Sequence, residues 1–265
     1  MLADEIESGR KLMNNRIADS LSKTPEITLV FWIIKIAATT LGETAGDAVS
    51  MSMNLGYLVG TAIFALIFAL AVTVQLKSRR FHPLLYWITV IATTTVGTTL
   101  ADFADRSLGI GYLGGSLLLF ALLMASLAVW YKTLGTVAAH TVTEPKAEFF
   151  YWITILFSQT LGTALGDWVA DSAGRGYEGG AIIFGALLLV IAVAYYRTRI
   201  SHTILFWSAF ILTRPLGAVL GDLLDKPVNA GGLALSRYTI SIVLFVFITT
   251  CVFVFRQEPA KQRVD

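Results

Sequence analysis

One pattern recurs four times without a gap. Trp32, Trp87, Trp152 and Trp207 are each followed ten residues later by a glycine (Gly42, Gly97, Gly162, Gly217) and five beyond that by an aspartate (Asp47, Asp102, Asp167, Asp222). A turn comes next, opened by Gly56-Tyr57, Gly111-Tyr112 and Gly176-Tyr177, with Gly231-Gly232 in that place in the fourth copy. Such a period outweighs local propensity, because each copy is one supersecondary unit that must bury its apolar face against its neighbours. The first two tryptophans are 55 residues apart, as are the last two, while the middle pair are 65 apart. The first half therefore maps onto the second with one offset of 120, as expected of a unit doubled twice.

Each copy holds two apolar runs long enough to cross a bilayer, which takes roughly 20 residues of helix. The spans read as 27–48, 56–76, 83–105, 111–131, 148–170, 177–196, 202–224 and 232–255. Only 14% of the 265 residues are charged and 55% are hydrophobic, a balance that leaves too few charges to cover a soluble domain. The expected fold is an all-α polytopic membrane protein of eight helices. Each copy has an even number of spans, so all four share one orientation and are related about the membrane normal rather than inverted. The repeats are bounded as 27–76, 83–131, 148–196 and 202–255 within one membrane domain, 26–256.

Positive charge sets the direction. Arg10, Lys11, Arg16, Lys23, Lys77, Arg79, Arg80, Lys132, Lys146, Arg197, Arg199, Arg256, Lys261 and Arg263 fall on one side, and only Arg106, Arg175 and Lys226 on the other. That asymmetry predicts both termini in the cytoplasm, with the chain in a bacterial inner membrane. Residues 1–25 lack the apolar core of a signal peptide. Ile6, Met13, Ile17 and Leu21 predict a short helix on the cytoplasmic membrane surface, with a disordered tail as the alternative, and 257–265 form a cytoplasmic tail.

The W-x9-G-x4-D pattern, with Thr39-Thr40-Leu41-Gly42 and Thr94-Thr95-Val96-Gly97 in the first two copies, resembles a family of bacterial integral membrane proteins. Those proteins are built from four tandem two-span "repeats of unknown function". The resemblance covers residues 27 to 255 and departs in the fourth copy, where Arg214-Pro215-Leu216-Gly217 stands. It implies location and architecture but no activity.

Residues four apart share a helix face. The odd spans then present Lys35, Thr39, Glu43 and Asp47; Val90, Thr94, Thr98 and Asp102; Ile155, Gln159, Thr163 and Asp167; Phe210, Arg214, Ala218 and Asp222. Lipid penalises such faces, so they are expected to turn inward, with the even spans as the lipid-facing ring. Glu43, Asp47, Asp102, Asp167 and Asp222, with Thr39, Thr94 and Thr98, are the candidate ligands of a metal ion. Lys35 and Arg214 are candidate charge partners that compete with the cation. Asp105, Asp171 and Asp225 are placed at the outer mouth. Oxygen donors suit Mg²⁺, Mn²⁺ or Ca²⁺. His82, His140 and His202 sit at the other side, which weakens a zinc or copper reading; Met51 and Met53 are the soft donors near the outer turn.

Small residues at four-residue spacing, such as Gly42/Gly46 and Gly162/Gly166, predict close helix approach. The alternative role of these small residues is to break a helix beside a site, and Pro215 marks the seventh span as the place for such a break; the tryptophans predict interfacial anchors. The lone Cys251 excludes a disulfide framework. No phosphate loop, Ser-His-Asp set or HExxH is present, so no enzyme and no cofactor are expected. The expected partners are a small inorganic cation, the lipid bilayer and, for a homo-oligomer, further copies of the chain, but no nucleic acid. Three functions follow: a gradient-driven transporter, including an exporter, of a small hard cation such as Mn²⁺ or Mg²⁺; a proton or monovalent-cation channel; and a non-transporting sensor or scaffold with a structural polar core.

Overall fold

The computed structural model describes residues 23–78 and 80–260. The surface helix expected on Ile6, Met13, Ile17 and Leu21, Arg79, and the tail with Lys261 and Arg263 lie outside the described residues.

Eight long helices organise the described chain: α1 (Leu29–Asp47), α2 (Gly56–Lys77), α3 (Pro83–Asp102), α4 (Tyr112–Leu134), α5 (Pro145–Asp167), α6 (Gly176–Arg197), α7 (His202–Asp225) and α8 (Arg237–Val254). Seven have the length and apolarity of a membrane span. The eighth, α5, is as long as the rest but holds Glu148, Ser158, Gln159, Thr160 and Thr163, all buried. Proline at the first position starts α3 and α5, where its missing N–H costs nothing. The hydroxyl of Thr28 caps α1 by accepting from Phe31 N–H at 3.3 Å.

In the first three copies the core helix continues past its aspartate into a five-residue π-helical turn: Ala48–Ser52, Phe103–Ser107 and Trp168–Ser172. The outgoing helix then opens on Gly56 or Gly176 as its first residue, or directly after Gly111, and φ values of 77°, 65° and 77° at these glycines disfavour any residue with a β-carbon. The fourth copy differs. Here α7 ends at Asp225, and the chain doubles back so that Leu233 and Leu235 N–H donate to the carbonyls of Leu223 and Leu224 at 2.8 and 2.9 Å. The returning helix begins at Arg237, not at the expected Gly231-Gly232, because Gly232 is pressed against the Lys226 backbone in this folded-back turn. The alternative of a break at Pro215 is not taken: α7 runs unbroken through it. A proline removes one N–H, and the packed turns on either side hold the helix together.

The core helices α1, α3, α5 and α7 form a closed ring, each packed on the next and α7 on α1. The outer helices are offset by one copy: α2 covers α3, α4 covers α5, α6 covers α7, and α8 closes the circle on α1. A short antiparallel bridge seals that junction, with Glu26 N–H to the Glu258 carbonyl and Ala260 N–H to the Thr24 carbonyl, both at 2.8 Å. The outer helices show Leu66, Leu117, Leu189 and Ile242 to the lipid. The repeats thus surround one axis along the membrane normal.

Glycine sets the register of the ring. Gly42 lies against Thr94, Gly97 against Gln159, Gly162 against Arg214 and Gly217 against Thr39, leaving no room for a β-carbon. The residue ten after one tryptophan always meets the residue seven after the next. In lipid, where burial between helices gains little, this close backbone approach supplies the packing.

At the end of the axis nearest the tryptophans the bundle is shut by rings. Trp87, Trp152 and Trp207 pack with Phe31, Tyr86, Tyr151, Phe206 and Phe210, and the Tyr86 and Tyr151 hydroxyls meet at 2.7 Å. The expected interfacial belt is corrected here: three of the four tryptophans are buried on the axis, and Trp32 is half-buried. Each lies three residues before the first member of its polar stripe, on the same helix face. Beneath them the 132–147 connection folds inward, burying Ala138, Ala139 and Val142, and the Trp207 indole donates to the Val137 carbonyl at 2.8 Å. Lys23 reaches the same floor, its ammonium 2.6 Å from Glu148 Oε2.

Candidate functional site

Because each core helix packs on the next through its glycines, the four polar stripes converge. They stack as four layers from the tryptophan end: Lys35, Val90, Ile155 and Phe210; Thr39, Thr94, Gln159 and Arg214; Glu43, Thr98, Thr163 and Ala218; Asp47, Asp102, Asp167 and Asp222. No member of these layers is more than 3% exposed.

The centre of the site is one guanidinium. Arg214 extends from α7 into the Glu43 layer, and its Nη2 donates to Glu43 Oε2 at 2.9 Å. The same nitrogen meets the hydroxyls of Thr98 and Thr163. A side chain of the fourth copy thereby touches the equivalent residue of each of the other three. Thr98 also lies 3.4 Å from Glu43 Oε2 and 3.2 Å from the Gly42 carbonyl. A buried carboxylate held by a guanidinium and hydroxyls forms a strong charge-assisted network.

Above it, two bases bridge the four aspartates in pairs. Lys226 binds Asp47 at 2.6 Å and Asp222 at 2.9 Å. Arg106 binds Asp102 at 2.9 Å and Asp167 at 3.3 Å. Both bases stand nineteen residues after their tryptophans, in copies two and four, where copies one and three have Met51 and Asp171. Sequence reasoning missed them as site residues, because they counted only as exceptions to the charge asymmetry. The signal was available: they are 120 residues apart, the offset that relates the halves of the chain. Arg237 closes the rim, 3.6 Å from Asp47 and paired with Asp225. Lys226 lies just past the end of α7. Burial disfavours its ammonium, but Asp222, Asp47 and Asp225 outweigh that and raise its pKa above the usual lysine value.

Carboxylate oxygens of Glu43, Asp47 and Asp102 lie within 4.8 Å of one another, as do those of Asp47, Asp222 and Asp225. These groups could jointly ligate one cation, after displacement of the bases. The remaining candidates are placed differently. Thr39 donates to its own helix and to the Thr213 carbonyl at 3.2 Å, while the buried Thr94 hydroxyl has no hydrogen-bond partner. Lys35 is near Thr213 rather than any carboxylate, 3.4 Å from its hydroxyl. Of the mouth acids, Asp225 is on the rim with Arg237, Asp171 is exposed, and Asp105 turns outward against Gly115 of α4. Asp171 is not the repeat equivalent of Asp105 and Asp225: that position, eighteen after the tryptophan, is Ala170 in the third copy. Met53 is exposed away from the axis, and His202 stacks on Tyr195 at 4.9 Å at the tryptophan end.

The family model described as Repeat of Unknown Function (DUF347) matches the chain four times in tandem, over residues 30–81, 85–138, 150–201 and 205–258. Each match spans one core helix and the outer helix that follows it. No curated protein and no solved structure matches the chain. The chain belongs to the DUF347 repeat family.

Proposed function

We propose that this member of the DUF347 repeat family is a gradient-driven transporter of a small hard cation, with Mn²⁺ or Mg²⁺ as the favoured cargo and export as the favoured direction. One observation carries the reading. Six buried carboxylates converge at the aspartate end (Glu43, Asp47, Asp102, Asp167, Asp222 and Asp225), while four bases hold them (Arg214, Arg106, Lys226 and Arg237). The surplus of two negative charges equals what two protons or one divalent cation would neutralise. Uncompensated charge inside a bilayer is costly and is associated with ion pathways. The bases act as internal counter-ions: they occupy the carboxylates when the cation is away and swing aside when it binds. An all-oxygen set suits Mg²⁺ or Mn²⁺. The charge asymmetry of the connections supports cytoplasmic termini in a bacterial inner membrane, with the aspartates facing outward.

A second reading, a non-transporting membrane protein with a structural polar core, draws on the pairing itself: each aspartate of the ring has a base within 3.3 Å. The two part in one experiment. Reconstituted in proteoliposomes under an imposed proton gradient, the chain is expected to move Mn²⁺ or Mg²⁺ saturably, and Glu43→Gln, which keeps the shape and removes the charge, should cut the rate by at least tenfold. Elemental analysis of cells with and without the chain gives the companion readout. Absence of flux for every metal tested, with Glu43→Gln altering only stability, would leave the structural reading standing.

A further inference from the structure

The lower half of the polar axis has the opposite chemistry to the upper half. Lys35 and Arg214 are both wholly buried, at 0% exposure, in adjacent layers of the axis. The Lys35 ammonium has only the Thr213 hydroxyl at 3.4 Å and the face of Phe210 at 4.1 Å, and no carboxylate pairs with it among the described residues. Arg214 spends Nη2 on Glu43, Thr98 and Thr163, while its Nε and Nη1 have no partner. In the layer that Arg214 springs from, the Thr94 hydroxyl and both amide atoms of Gln159 are equally unpartnered and buried.

These groups are almost all donors. An ammonium, the guanidinium Nε and Nη1 and an amide NH₂ lie in two adjacent layers of the axis, with the Gln159 carbonyl oxygen as an acceptor and the Thr94 hydroxyl able to donate or accept. A buried donor left without an acceptor is costly, and more so when it is charged. Glu43 answers one of the two positive charges. One negative charge remains to be supplied.

We propose that this stretch is a binding site for one small monovalent anion, of the halide class, held between Lys35 and Arg214 with Gln159 and Thr94 as neutral donors. The size limit follows from the packing: Gly42, Gly97, Gly162 and Gly217 bring the four backbones together around this same layer. The charge limit follows from the balance, which a divalent oxyanion would overshoot. The site is distinct from the carboxylates above it and stands whether or not a cation is carried there.

The test uses the full chain purified in detergent, prepared at equal ionic strength in chloride, bromide or gluconate. Chloride and bromide should raise the unfolding temperature saturably, by roughly 5 °C at saturation, over gluconate, which is too large to enter. Lys35→Met should lose that rise. Gln159→Leu provides a second variant with the charges intact, and it should shift the midpoint of the chloride dependence at least fivefold. Crystals grown in bromide should show an anomalous peak on the axis within reach of Lys35 and Arg214. Equal unfolding temperatures in all three anions, a chloride response retained in both variants, or bromide bound only elsewhere would each overturn the site. Such a result would mean that Lys35 is uncharged and that water serves the free donors.

Discussion

The two ends of the central bundle are both shut, but by different physics. At the tryptophan end, Trp87, Trp152, Trp207 and their aromatic neighbours fill the axis, and the inward fold of residues 137–142 forms a floor beneath them. At the aspartate end, closure is ionic: Lys226 and Arg106 each clamp two carboxylates, and Arg214 holds Glu43 in the layer below. The same four helices make both ends. Residue type at equivalent positions decides whether a layer is sealed by close packing or by charge. Aromatic packing has one deep minimum and resists ions; a ring of paired charges can exchange partners with a cation, a proton or salt. The difference places the groups that can change partners at the aspartate end.

Three measurements can break that comparison or sharpen it. The largest effect is expected from Trp152→Ala. It empties a buried indole site, and loss of a large core aromatic costs about 3–5 kcal/mol. The loss should show as a lower unfolding temperature in detergent, equal at low and high salt. A salt-dependent loss would mean that the tryptophan end is not held by packing.

A somewhat smaller loss, about 3 kcal/mol, is expected from Lys226→Ala, because two carboxylates are left facing one another without their clamp. Unlike the tryptophan variant, its effect should shrink as ionic strength rises. The pH dependence has a definite sign. The pKa of Lys226 is higher in the folded chain than in the unfolded one, so its contribution is complete below the ordinary lysine value of about 10.4 and falls as pH climbs beyond it. The stability gap between wild type and Lys226→Ala should therefore stay flat from pH 6 to pH 9 and narrow only above about pH 10. A gap that narrows near neutrality would place the titrating group elsewhere.

The smallest effect belongs to Asp171→Asn. Asp171 shares the sequence position of Arg106 and Lys226 but is exposed, so a change within about 0.5 kcal/mol is expected. A loss comparable to that of Lys226→Ala would show that position within the repeat, rather than burial, decides the role.

Most of the architecture was legible in the sequence. The tryptophan, glycine and aspartate spacing located every core helix within a few residues. The four-residue polar stripes named the axis-facing side chains, because a stripe intolerable to lipid can only turn inward. The tryptophans were misjudged because an aromatic residue near a span end looks the same whether it faces headgroups or the axis. Extending the stripe three residues backward would have separated the two cases.

What the sequence determined by itself is the eight-helix membrane fold, its parallel repeats and the set of residues that share the axis, since these follow from periodicity and from the cost of polar groups in lipid. Only the tertiary structure decided which acid meets which base, that each outer helix covers the next copy's core helix, and that the fourth turn folds back to bring Lys226 onto the ring. Those outcomes depend on how four nearly equivalent helices close a circle. Closure is a relation between copies, and no single copy's sequence contains it.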